Sequence, residues 1–167
     1  MPLTKLNSAS VIERLPVGSV LQTVNTKRDG TANTTPASDL VNYTDTGLFI
    51  SITPTYNNSK ILVFVSTNVA SQKATSGNVA RYDIRLVNND ASETAYENHY
   101  TGTDHQTSGN LSLIDSFQGY FSPASTNSQT YKVQARVAAG ASSQASLLFL
   151  NWYSGSLQSI TAMEIKG

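Results

Sequence analysis

From residue 16 onward, short apolar stretches alternate with clusters of Gly, Asn, Ser and Thr, and no stretch repeats with a helical period. Leu48, Ile50 and Ile52 take alternate positions, so they share one face of a strand. Pro54 and the cluster Tyr56-Asn57-Asn58-Ser59 end that strand in a turn. Residues 60–66 form a nearly continuous apolar run, which predicts a central strand buried on both faces. In residues 81–87 the charges Arg81, Asp83 and Arg85 alternate with Tyr82, Ile84 and Leu86, predicting a half-exposed strand before a turn at Asn88-Asn89-Asp90. Further strands are predicted over residues 19–25, 111–121, 130–137, 145–153 and 159–166. In the last, Ile160, Ala162 and Glu164 oppose Thr161, Met163 and Ile165. The pattern predicts an all-β fold, an antiparallel β-sandwich of jelly-roll type. The spacers 26–45, 71–80 and 96–110 read as long loops, and loops of that length usually carry function or an interface.

Residues 1–15 differ from the rest. Ser10 is placed to cap a short turn through Val11, Ile12, Glu13 and Arg14, with Glu13 at the capping-box position and Pro16 as the stop. Residues 1–15 are therefore read as a short N-terminal arm and 16–167 as the sandwich domain. The apolar side chains Leu3, Leu6, Val11, Ile12 and Leu15 make the arm a candidate attachment segment, because they need a surface to cover them.

Composition narrows the choice of partners. The chain has 167 residues, enough to bury a core without staples, and contains no cysteine, so disulfides and thiolate metal sites are absent. Only 13% of residues are charged, and eleven basic residues balance eleven acidic ones. With no basic stripe to neutralise phosphates, no nucleic-acid partner is expected. The longest apolar runs, residues 61–65 and 147–150, are too short for a helical membrane span, so no membrane insertion is expected. The first residues lack the apolar core of a signal peptide, which predicts synthesis in the cytoplasm and release by another route, such as lysis.

Catalytic chemistry finds little support. His99 and His105 flank a polar stretch with Asp104, but the spacing matches no standard zinc pattern; they are read as ordinary loop histidines, and no metal or cofactor is expected. Gly30, Gly47 and Gly77 form no phosphate-binding fingerprint and are read as turn glycines. Glu93 and Glu97 are the only pair that suggests glycosidase carboxylates, and sequence proximity is poor grounds for such a pair. The chain is read as non-enzymatic. The aromatics say more. Tyr96, His99, Tyr100 and His105 are read as one polar loop suited to receptor contact, since exposed rings among neutral amides and hydroxyls form adaptable binding surfaces. Tyr56 sits in a second such loop. Trp152 and Tyr153 are read as core or interface residues.

Several segments carry a resemblance. They are Leu15-Pro16-Val17-Gly18-Ser19-Val20-Leu21-Gln22-Thr23-Val24, Thr46-Gly47-Leu48-Phe49-Ile50-Ser51-Ile52-Thr53-Pro54 and Ser59-Lys60-Ile61-Leu62-Val63. Two more are Tyr131-Lys132-Val133-Gln134-Ala135-Arg136 and Ser159-Ile160-Thr161-Ala162-Met163-Glu164-Ile165. Together, from about Pro16 to the end, they resemble a β-rich domain at the C-termini of tail-fibre-like proteins of phages from aquatic bacteria, including cyanophages. The resemblance implies a structural virion component, working as a homotrimer alongside other virion proteins of the baseplate, fibre shaft or capsid. It departs from that pattern in having only a short arm where a long fibre carries a shaft. The expected function is a short tail fibre or fibre tip that adheres to a host-surface glycan or protein. The alternatives are a capsid decoration protein and, third, a small carbohydrate-active enzyme.

Overall fold

The computed structural model describes the backbone of residues 12–28, 36–37, 42–73, 81–90, 93–101, 109–137, 145–148 and 157–167. Among these residues are ten strands: β1 Val20–Arg28, β2 Pro36–Ala37, β3 Thr44–Ile52, β4 Lys60–Lys73, β5 Arg81–Asn88, β6 Glu93–Thr101, β7 Gly109–Phe121, β8 Gln129–Val137, β9 Ala145–Leu148 and β10 Gln158–Ile165. One sheet runs β1-β10-β4, with β7 on the other edge of β4; the second runs β3-β8-β5-β6. Beyond Ser66, β4 leaves β10 and pairs with β9, which in turn pairs with β2. Every pairing is antiparallel.

Without the short β2 and β9, the remaining strands taken in chain order make sheets of order 1-8-3-6 and 2-7-4-5. That order is a jelly roll, two Greek keys folded into facing sheets, as expected from the sequence. Alternation builds the core between the sheets. β3 contributes Leu48, Ile50 and Ile52, and β4 contributes Ile61, Val63 and Val65. Ile84, Leu86, Phe117, Phe121, Tyr131, Val133, Ala135, Ile160 and Ala162 complete it. The Phe121 and Tyr131 rings pack with centroids 4.6 Å apart.

Four sequence expectations change. β4 is central, but only one of its faces is buried: Phe64, between buried Val63 and Val65, is 39% exposed. The strand's hydrogen bonds are satisfied on both edges, and that does not require cover on both faces. The charged face of β5 is not open, because Asp83 is buried and bonds Arg136 at 2.7 Å. Residues 96–101, read as part of the spacer 96–110, belong to β6, which pairs with β5 as an edge strand. Gly47 is not a turn glycine but lies within β3, at φ +77°, where the β3–β8 register shifts. This is a glycine bulge. A Cβ at Gly47 would stand 2.7 Å from Arg28 Nη1, and Arg28 donates to the Thr46 carbonyl at 2.9 Å, linking the two sheets.

The inner face of β10 carries one charge. Glu164 is fully buried, and its carboxylate accepts from Gln22 Nε2, Ser59 Oγ and Thr55 N, each at 2.6 Å, and from Thr55 Oγ1 at 2.9 Å. No Lys or Arg among the described residues pairs with it. Burial pushes its pKa up, but the bonds from Ser59, Gln22 and Thr55 together outweigh burial and hold it below the ordinary 4.5. Asp45 is likewise lowered, its burial outweighed by bonds from Gln134 and Lys132 and by the charges of Lys132 and Arg85.

Both carboxylates have a lower pKa folded than unfolded, so their stabilisation is complete above the unfolded value and is lost as pH falls through the folded one. Urea unfolding midpoints should therefore hold steady near neutrality and drop below about pH 4.5, the ordinary glutamate value. Glu164→Gln should lower stability at pH 7 and flatten part of the acid drop, leaving the share that belongs to Asp45. A second comparison checks the core. Ile61→Ala should cost about 2–5 kcal/mol by the same measurement. Thr67→Val should cost nothing or stabilise, because the buried Thr67 hydroxyl has no hydrogen-bond partner.

Candidate functional site

The strand directions give the sandwich two unlike ends. At one end lie the starts of β1, β4, β6 and β8 and the last residues of β3, β5, β7 and β10. The connections 53–59, 89–92 and 122–128 join strands there, and residues 12–19 and 166–167 adjoin the same end. The connections 29–43, 74–80, 102–108 and 138–157 all leave and re-enter strands at the other end; the first and last of them are the longest in the chain and contain β2 and β9. This follows from antiparallel pairing, which sends successive connections to opposite ends.

At the end with the termini, Ile12 and Glu13 form a helical turn that stops at Pro16, with Leu15 N bonded to the Ile12 carbonyl. The Lys166 ammonium donates to the Ile12, Glu13 and Leu15 carbonyls at 3.3, 2.7 and 2.8 Å. A cation at the end of a helical turn satisfies carbonyls that the turn leaves unpaired. The backbone continues the join, with Gly18 N bonding the Lys166 carbonyl and Lys166 N the Ser19 carbonyl. Ile12 and Leu15 are thus half-buried and fastened to β10. Leu3, Leu6 and Val11, and the cap Ser10, lie outside the described residues. Tyr56 stands at this end too, its ring centroid 5.8 Å from Lys166 Nζ.

The receptor-contact loop takes a different form. Tyr96, His99 and Tyr100 are in strand β6, opposite Leu86, Asp83 and Tyr82 of β5 in register. They do not form one loop with His105, which lies outside the described residues, as do Asp104, Gly30, Gly77, Trp152 and Tyr153. Glu93 and Glu97 also belong to β6. Among the described residues no three His, Asp or Glu side chains gather to hold a metal ion.

Two concave regions sit on the outer faces of the sheets. On the β3–β8–β5 face a cavity of about 320 Å³ is lined by Asp45, Gly47, Leu48, Phe49, Asn89, Thr130 and Lys132, and Phe49 is 54% exposed. Its charges are paired: Lys132 bonds Asp45 at 2.9 Å, and Gln134 bonds the other Asp45 oxygen. Gln134 also accepts from Arg85 at 2.9 Å, and the Arg85 and Arg136 guanidiniums stack on Tyr43 at 4.0 and 4.5 Å from the ring centre. With its pKa held down, Asp45 is an ionised acceptor and not a proton donor near neutrality.

On the β10–β4–β7 face a larger trough of about 590 Å³ is lined by residues 64–66, 116–118, Ser159 and Thr161. The sequence reading missed Phe49 and Phe64. The available signal was an aromatic on the off-beat of an apolar alternation, Phe49 between Leu48 and Ile50 and Phe64 between Val63 and Val65.

No family model matches the chain, and no curated protein does either. Among solved structures the chain is similar to the VP2 subviral particle of infectious bursal disease virus, with TM-score 0.39 and 13% identity over 100% of this chain and 38% of that one. It is also similar to a structure of the Gx strain of the same virus, with TM-score 0.38 and 11% identity over 87% and 36%. A structure of deformed wing virus matches with TM-score 0.20 and 12% identity over 100% and 47%. The chain spans less than half the length of each of these three chains, and the jelly-roll assignment rests on its own strand order.

Proposed function

We propose that this chain is a non-enzymatic structural component of a tailed-phage particle, a short tail fibre or fibre tip that adheres to the host surface as a homotrimer. The observation that carries the reading is the polarity of the sandwich. Residues 12–15 of the arm and the last residues share one end, and the two longest connections, 29–43 and 138–157, share the other. An adhesion module needs that division: one end bound to the particle and one presented outward. The sequence resemblance to tail-fibre-like domains supports the same reading. Adhesion would come from weak contacts multiplied over several copies on one particle. With 13% charged residues, such contacts would vary little with salt. The second reading, a capsid decoration protein, draws on the strand order, since jelly rolls build many viral capsid domains.

Gold-labelled antibody against the chain, viewed on intact particles by electron microscopy, separates the two. Label at the tail or baseplate is expected; label over the head would favour decoration, and unlabelled particles would remove both. Deleting residues 1–11 should leave a folded domain and abolish incorporation into particles. Lys166→Ala should lower stability by about 1–2 kcal/mol, because three carbonyls lose their donor. Domain unfolding on deletion of residues 1–11 would show that the arm belongs to the core.

A further inference from the structure

We infer that the trough on the outer face of the β10–β4–β7 sheet is a binding site for a neutral sugar residue. This rests on the adhesion reading and gives it a place and a ligand class.

The register lays out the site. Ser159, Ser66 and Ser116 stand opposite one another across β10, β4 and β7, and the next outward row is Thr161, Phe64 and Gln118. Neighbouring strands lie about 4.8 Å apart, so the three hydroxyls line up beside an aromatic ring flanked by a hydroxyl and an amide. Phe64 is 39% exposed, although the residues on either side of it are buried. The volume of about 590 Å³ is in the ordinary range for small-ligand sites.

Three features select the ligand. An exposed ring offers an apolar platform for the C–H face of a pyranose. Hydroxyls and a carboxamide both donate and accept, as sugar hydroxyls require of their partners. The Thr161 hydroxyl is held in place by Asn25 Nδ2 at 2.7 Å. Among the described residues, the side chains of Ser66, Ser116, Gln118 and Ser159 make no hydrogen bond to another side chain, so their capacity is open to a ligand. The third feature is neutrality. Among the described residues no charged side chain lines the trough, and the charge next to it in register is Lys27 of β1, opposite Ser159; a neutral lining favours a neutral ligand. The other cavity differs here, since Lys132 and Asp45 line it. A second copy of the chain is the competing occupant, because Tyr120, 57% exposed, lies on the same face.

The test uses the full chain and ¹H–¹⁵N NMR. Methyl glycosides of glucose, galactose, mannose and N-acetylglucosamine are titrated in, with sodium sulfate and sialic acid as anionic probes. At least one neutral glycoside should move the amide signals of Phe64, Gln118 and Thr161 saturably. Phe64→Ala and Gln118→Ala should each weaken that binding by about tenfold while the rest of the spectrum stays in place. Both side chains point outward, and the second variant guards against loss of fold in the first. Three results would overturn the inference: no response to any neutral glycoside, tighter binding of the anionic probes, or a dimer in sedimentation that Phe64→Ala disperses. Particle labelling is read separately. Labelled particles with a silent trough would sink the sugar site alone, and sugar binding without label would sink the particle assignment alone.

Discussion

A carboxylate that no Lys or Arg among the described residues answers sits where the two sheets meet. Glu164 projects from β10 into the space between them, and the groups that satisfy it come from β1 and from the turn that carries the chain from β3 in one sheet to β4 in the other. A buried charge left unpaired costs several kcal/mol, so each of these donors is held where the carboxylate needs it. The requirement fixes how the first crossover approaches β10, and β10 in turn aligns β1 and β4. Arg28 does similar work at the opposite end, reaching from β1 to the Thr46 carbonyl beside the Gly47 bulge. Between these two polar ties, packing is free to be apolar.

With the core settled, the outer faces are where the chain can specialise. The two faces differ in kind. On the β3–β8–β5 face the charged groups bond one another and stack on Tyr43, which leaves that surface already satisfied. The trough on the β10–β4–β7 face carries neutral hydroxyls, an amide and an open ring. Neutral hydration suits a surface that must work in media of varying ionic strength.

Much of this was legible in the chain itself. Alternation grouped Leu48, Ile50 and Ile52, and Ile160, Ala162 and Glu164, on shared faces, and each group is buried, because a half-buried strand has one period and one phase. It grouped Glu164 with Ile160 and Ala162 but did not say which face of β10 turns inward, since Met163 and Ile165 on the other face are apolar too. Which donors answer it could not be read, since Gln22 and Glu164 are 142 positions apart. The edge strand β6 escaped because Glu93-Thr94-Ala95-Tyr96-Glu97-Asn98-His99-Tyr100-Thr101 has no aliphatic alternation to mark it; an edge strand paired on one side can be polar. The outward face of β4 escaped for the opposite reason. An apolar residue on the solvent side looks the same in sequence as one buried there. The arm was legible as a segment with a stop at Pro16, but its clasp by Lys166, 151 residues beyond Leu15, was not.

That clasp also decides how the molecule would bear a pull. Tension entering through residue 15 runs along β1, whose partner β10 lies beside it through eight register pairs from Val20↔Ile165 to Arg28↔Gln158. The bonds of an antiparallel ladder lie across the strands, so a force along β1 shears many of them together and does not peel them one at a time. Because Lys166 grips the entering chain beside the first of those pairs, the load spreads into two strands before the ladder begins. A domain tethered in this way would resist unravelling from its anchored end, and would do so without a disulfide anywhere in the chain.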